Sequence, residues 1–339
     1  MTAGRGRVAF IGGVHEAAPA LAALIDSGVE VVTVTTLPED KASTVSGWID
    51  LAPMAATRGI PVTRVMDVNA PEQLERFTAL KPDLLVVVGW TRLISSALLA
   101  VPRYGCIGFH ASLLPHGRGR APVNWAIIHG EQVTGNTMML LEPGVDTGDI
   151  VDQRPVQIRP EDTCRDVYAR VADAGASMLR THLPALLTGT APRRPQEHDR
   201  ATTLPKRTPD MGVTDWARPA RAVHDWIRAL THPYPGAFTS RAGDRIMLWT
   251  SSVPVDTTSE GVPGQIVAID SNGMSVQASP GVVTVTYASD PGSPPEPAEA
   301  WAAARGIGVG TVLDAVDPAV SQWALGLADA PQVAAVGVR

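Results

Sequence analysis

Three short apolar runs, with helical patterns between them, constrain this chain more tightly than any other feature. They are RVAFIGG at 7–13, VEVVTVTT at 29–36 and DLLVVVGW at 83–90. All are rich in β-branched and aliphatic residues, and the last is apolar almost without a break. Strands of that kind are covered on both faces, as in a parallel sheet. Between them, HEAAPALAALIDSG (15–28) and APEQLERFTALKP (70–82) read as helices, and LAPMAATRGIPV (51–62) as a helix leading to a short strand. This alternation predicts a doubly wound, mostly parallel α/β domain. Ligands of such sheets sit beyond the carboxyl ends of the strands. Here those ends are the residues after Trp90 and around His110.

The pattern changes after about residue 150. DTCRDVYARVADAGASMLRTHLPALLTG (162–189) reads as a long amphipathic helix ended by Gly189. The polar, Pro- and Arg-rich stretch 190–210 reads as a linker. A helix at 217–230 follows, then short strands divided by Gly and Asn, the signal of a small β-barrel. The expected division is a catalytic domain over 1–189, a linker over 190–210 and a smaller barrel domain over 211–330.

With 45% hydrophobic and 18% charged residues the chain has ordinary globular composition, which argues against long disorder. No apolar run approaches the roughly 20 residues that span a bilayer. The N-terminal run is too short for a signal peptide, so a cytoplasmic protein without membrane contact is expected. Cys106 and Cys164 stand far apart, in no metal-type spacing, and read as small buried hydrophobes. His15, His116 and His129 form no metal-like set, and no metal is expected. A net charge of −6 argues against a general nucleic-acid binder.

The stretch CIGFHASLLPHGRGRAP (106–122) places His110 where a buried strand breaks into a loop. Asp146 follows 36 residues later, in the turn EPGVDTGDI after another strand. An Asp oriented on a His gives a base near neutral pH and stabilises the imidazolium. One such pair, taken alone, is more often structural.

The words around the pair carry more. FHASLLPHGRGRAPVNWAIIHGE with TGNTMMLLEPGVDTGDI resembles the folate-dependent formyltransferases: methionyl-tRNA formyltransferase, glycinamide ribonucleotide transformylase and the sugar-nucleotide N-formyltransferases. DWARPARAVHDWIRALTHPYPGAF and the strands after it are similar to the start of that family's OB-like C-terminal domain. The resemblance implies a Rossmann-like catalytic domain with N10-formyltetrahydrofolate as co-substrate. An amine then attacks the formyl carbon and a tetrahedral intermediate forms and collapses. His110 would stabilise the oxyanion, and Asp146 would orient the ring and relay protons through water. GWTRLI (89–94) matches the segment lining the pterin pocket, which puts Arg92, Leu93 and Ile94 on the cofactor. Ordinary core packing is the competing reading for Leu93 and Ile94. The turn from Glu142 to Val145 would meet the pterin through its backbone. Arg118, inside the motif, would hold an anionic group of the substrate, or else a structural ion pair.

One position departs from the pattern. Two residues before His110 the family normally carries an Asn whose amide donates to the oxyanion, and here stands Gly108. Asn136 is the candidate replacement, as an amide in an otherwise apolar strand. Strand parity opposes it: if Thr137 and Met139 face the site, Asn136 is a structural amide. Asn124 is a weaker candidate.

The tRNA enzymes of the family usually carry a basic insertion soon after the second strand. Here that region holds Glu30, Glu39, Asp40 and Asp50 against Lys41 and Arg58, a surface that repels phosphates. The expected acceptor is a small primary amine, foremost a nucleotide-linked amino sugar, with no nucleic-acid partner and a homodimer as candidate assembly. The alternatives are an amino acid or hydroxyornithine of a natural product, charged initiator tRNA, and a non-catalytic relative that binds folate or sugar.

Overall fold

A computed structural model describes residues 6–254 and 260–331. The first part of the chain runs β1 (Arg7–Gly12), α1 (Ala17–Ser27), β2 (Glu30–Thr36), α2 (Ala52–Ala56) and β3 (Val62–Arg64). It continues through α3 (Pro71–Leu80), β4 (Leu84–Val88), α4 (Ser96–Leu99), β5 (Cys106–His110) and β6 (Arg118–Gly119). Then come α5 (Pro122–Ile128), β7 (Val133–Leu140), β8 (Ile150–Gln157), α6 (Cys164–Leu186) and β9 (Thr203–Leu204). The remainder is α7 (Ala220–Leu230), β10 (Ala237–Arg241), β11 (Asp244–Ser252), β12 (Ile266–Asp270), β13 (Gly273–Gln277) and β14 (Val282–Ser289). β15 (Glu296–Pro297), α8 (Ala298–Ala304) and α9 (Pro318–Ala324) complete it.

The chain divides into two compact units. One takes Met1–Pro122, Val133–Gln157 and Asp166–Thr203; the other takes Val123–Gln132, Ile158–Arg165 and Leu204–Arg339.

The first unit is built on a seven-stranded sheet of order β3-β2-β1-β4-β5-β7-β8. Strands β3 to β5 are parallel, as the apolar runs require, and β7 and β8 add antiparallel to β5. Helices close both faces. On one face Val8, Phe10, Val86, Ile107 and Met138 pack with Leu21 and Leu24 of α1 and Met178, Leu179 and Leu183 of α6. On the other, Ala9, Ile11, Leu85, Val87 and Cys106 pack with Phe77 of α3 and Leu98 of α4. Each large side chain so buried contributes about 1.5–3 kcal/mol. Local chemistry sets the helix ends. Gly28 caps α1 at φ 75°, its N–H bonding the Ile25 carbonyl. Pro71 opens α3, where a missing N–H costs nothing.

The second unit carries an antiparallel sheet of order β10-β11-β14-β13-β12, with β15 on β14. Val213 bridges Phe238 at its β10 end. Within this unit Arg207 lies between the rings of Trp125 and Trp226, 4.7 Å from each centroid. Burial pushes its guanidinium down to about 10. Buried Asn124 donates to the Ala229 carbonyl at 2.6 Å, so it is a structural amide. Arg228 and Asp225, both buried, pair at 2.7 Å.

Candidate active site

His110 is the last residue of β5. Across the antiparallel ladder His110 pairs with Thr137, Phe109 with Met138 and Gly108 with Met139. Directly paired residues project from the same face, so Gly108, His110, Thr137 and Met139 share one face. Thr137 is fully buried opposite the histidine and organises the loop that follows it. Its Oγ1 donates to the Ser112 carbonyl at 2.7 Å and accepts from Leu114 N–H at 3.1 Å and Gln153 Nε2 at 2.9 Å. The sequence reading weighed Thr137 only as the opposite-parity neighbour of Asn136 and gave it no role of its own. Its signal was a hydroxyl in an apolar strand at the register of the histidine.

The imidazole is held at both nitrogens. Nε2 lies 2.7 Å from the Gly117 carbonyl oxygen, which can only accept, so Nε2 carries the hydrogen. Nδ1 lies 3.5 Å from Asp146 Oδ1, and the two side chains are only 8% and 18% exposed. That separation is long for a hydrogen bond but close for an electrostatic pair. With Nε2 turned to the Gly117 carbonyl, Nδ1 is the ring atom that faces the carboxylate.

Asp146 takes a left-handed φ of 53°, costly for a residue with a side chain. Its surroundings fix it there. Oδ2 accepts from the Gly119 N–H at 2.8 Å. Its own carbonyl accepts from Gln196 Nε2 at 2.9 Å, and that of Gly148 from the same nitrogen at 2.8 Å. Gln196 Oε1 in turn accepts from Arg118 Nη2 at 2.6 Å, and a second Arg118 contact goes to His198 Nδ1 at 3.0 Å. Read from sequence as a substrate contact, Arg118 is instead engaged behind the Asp146 turn. The reason lies in residues 190–203, read as linker yet part of this unit, which deliver Gln196 and His198 to it.

Asn136 is also corrected. It shares parity with Met138, on the face under α6, away from His110. There its Nδ2 donates to the Val171 carbonyl at 2.8 Å. Parity decides the matter, and the amide missing at Gly108 is not supplied from Asn136. The space at Gly108 is filled otherwise. A Cβ built there would lie 2.5 Å from Leu141 Cδ2 and 3.1 Å from its Cγ.

The residues expected to hold the folate fall in two groups. Arg92 and Leu93 are exposed, Leu93 by 58%, and Glu142 and Val145 are exposed in the turn before Asp146, Val145 by 52%. Ile94 instead lies in the core with Val87 and Leu98, where its side chain is spent on packing, so its expected place on the cofactor is withdrawn. Asn69, unnoticed in sequence, pins the segment. Its Nδ2 donates to the Leu93 carbonyl at 2.9 Å and its Oδ1 accepts from Ser95 N–H at 2.8 Å. β4 leaves the sheet through Gly89 at φ 60°, where a Cβ would lie 2.3 Å from Val14 Cγ2. Exposed aliphatic groups on pinned loops at strand ends fit a flat heteroaromatic ring. Among the described residues no group of three or more His, Cys, Asp or Glu is placed to hold a metal ion. No described helix is long and apolar enough to cross a membrane.

Comparison with known proteins adds the family. Residues 6–183 match the formyl transferase family and residues 206–306 its C-terminal domain. A methionyl-tRNA formyltransferase of Moorella thermoacetica is 36% identical over 91% of this chain and 100% of its own. One from Trichlorobacter lovleyi is 34% identical over 91% of this chain and 96% of its own. HypX from Aquifex aeolicus, a variant crystal structure, superposes with TM-score 0.67 at 19% identity, covering 93% of this chain and 50% of that one. An N-formyltransferase from Helicobacter canadensis, in complex with folinic acid and dTDP-3-aminofucose, has TM-score 0.63 at 16% identity, over 83% of this chain and 99% of that one. Sequence motifs, strand order and relatives agree: the chain belongs to the formyltransferase family, whose one-carbon donor is formyltetrahydrofolate.

Proposed function

We propose that this enzyme moves the formyl group of N10-formyltetrahydrofolate to the primary amine of a small acceptor, foremost a nucleotide-linked amino sugar. The observation that carries the transfer is the ring of His110, held between the Asp146 carboxylate and the Gly117 carbonyl. The folate, when bound, supplies an activated formyl carbon. His110 exchanges the Gly117 carbonyl for the formyl oxygen and hydrogen-bonds it through Nε2–H as the amine nitrogen adds to the formyl carbon. Asp146 orients the ring and takes, through water, the proton that the amine loses; the tetrahedral intermediate then collapses, the formyl carbon–N10 bond breaks, and that proton passes to the leaving N10. Arg92, Leu93 and the turn from Glu142 to Val145 hold the folate. Gln196 and Arg118 keep Asp146 in its strained conformation.

The small acceptor is supported by the segment after β2. Its Lys41 pairs with Asp40 at 2.8 Å, while Asp50 takes Arg64 at 3.0 Å. Few free cations are left there for a phosphate backbone. A second reading has its own support. The full-length relatives at 34–36% identity are methionyl-tRNA formyltransferases, so negative net charge does not exclude a charged initiator tRNA as acceptor. The reading includes a catalytic domain over 1–189, a smaller domain over 211–330 and a cytoplasmic location. Incubation with N10-formyltetrahydrofolate and three acceptors, a dTDP-amino sugar, hydroxyornithine and charged initiator tRNA, separates the readings. A product from the amino sugar supports the first; a product from tRNA alone replaces it with the second.

A further inference from the structure

Behind β5, on the face opposite His110, lies a cavity of about 60 Å³ that formyl transfer as described does not use. Its walls include Glu16, Gly89, Phe109, Ala111, Asn136 and Gly175. Gly89 follows β4 and Ala111 follows His110, so the cavity opens at the same carboxyl edge of the sheet as the histidine. Its polar wall offers acceptors, the Asn136 amide oxygen and the Glu16 carboxyl. Asn136 is 3% exposed, its Nδ2 is spent on the Val171 carbonyl, and its buried Oδ1 has no partner. Gly175 makes room for that amide, since a Cβ there would lie 2.8 Å from Asn136 Nδ2. Glu16 sits at the N-terminal cap of α1, yet its side chain does not cap the helix. Among the described residues it has no ion-pair partner. Burial pushes its carboxyl up. A buried amide oxygen left without a donor costs about 1–3 kcal/mol, and burial of the Glu16 carboxyl in the same cavity wall disfavours its charged form, a cost that a cation bound there offsets.

A ligand that brings several N–H donors and a positive charge meets both demands at once. The volume suits a group on the order of one or two waters, the size of an ammonium head. We propose that this cavity is an acceptor subsite for a small ammonium group, with Glu16 and Asn136 as its ligands. The acceptor then carries a second amino group besides the one formylated. This inference rests on the proposed transfer to a small amine.

Methylammonium chloride is the probe, at ionic strength matched with sodium chloride, with tetramethylammonium as the oversized control. In the parent, methylammonium should raise the acceptor KM and leave the formyltetrahydrofolate KM unchanged, while tetramethylammonium does neither. Glu16→Gln should raise the acceptor KM about tenfold or more, the scale of one charge-assisted contact, and abolish competition by methylammonium. Asn136→Leu, checked for an unchanged thermal midpoint, should act the same way more weakly. An acceptor KM within about twofold of the parent in folded Glu16→Gln, or equal inhibition by both cations, overturns the subsite. If only charged tRNA accepts formyl, the small-amine reading fails, and the same Glu16→Gln comparison on tRNA still decides the cavity.

Discussion

The Leu141 side chain stands where a side chain on Gly108 would begin, its Cδ2 2.5 Å from the Cβ position. Gly108 pairs with Met139 across the ladder, and Leu141 lies two residues further along the same face. Leu141 also packs against Leu114, Met139 and Ile150. The absent amide and the leucine over its place are therefore one feature. Restoring the amide alone forces Leu141 to move. Gly108→Asn by itself should give no gain in turnover, while Gly108→Asn with Leu141→Ala should exceed Leu141→Ala by about tenfold or more, part of the ~10²–10³ attached to one oxyanion donor. Equal turnover in Leu141→Ala and the double variant would show that the amide has no use here.

Gln196 joins Arg118 to the carbonyls of Asp146 and Gly148. Gln196→Leu should lower kcat about tenfold and leave the formyltetrahydrofolate KM near the parent's, because it loosens Asp146 without touching the folate segment. Arg118→Met should act through the same chain, so the double variant should be no worse than the poorer single one. Additive losses would separate Arg118 from Asp146 and return it to substrate binding.

The parallel sheet was legible because continuous apolar runs between helices have few other uses. His110 and Asp146 were legible through the words around them, since the pair alone is too common to mean much. Asn136 misled because it is conspicuous in sequence, while the face it occupies depends on the register between β5 and β7. Gln196 and Asn69 were invisible for another reason. They act through backbone carbonyls far away in sequence, and a polar residue in a Pro- and Arg-rich stretch carries no mark of that contact. Leu141 over Gly108 is a diagonal contact across two strands, which no spacing along the chain reports.

His224 gives a pH-dependent stability that is independent of catalysis. It is 2% exposed with Nδ1 3.0 Å from Ser251 Oγ, and burial, then Arg221, push its pKa below 6.5. The unfolded chain therefore binds a proton below pH 6.5 that the fold refuses. Stability contributed by the neutral ring is present above that pH and is lost as pH falls through it, by at most about 1.4 kcal/mol per unit for one proton. His129 and His232 are shifted the same way by burial, so some slope should persist without His224. The thermal midpoint of His224→Gln should fall less steeply between pH 6.5 and acid conditions than the parent's. Parallel curves would mean that His224 is protonated in the fold.

Formyl transfer in His110→Ala and Asp146→Asn, measured with the amine that the parent accepts, is the most direct test of the site. The folate contacts are untouched in both variants, so binding of formyltetrahydrofolate should stay near the parent's. Turnover should fall at least ~10²-fold in each, the scale of a positioned acid–base group. A folded His110→Ala protein with turnover near the parent's would contradict the assignment and place the chemistry elsewhere.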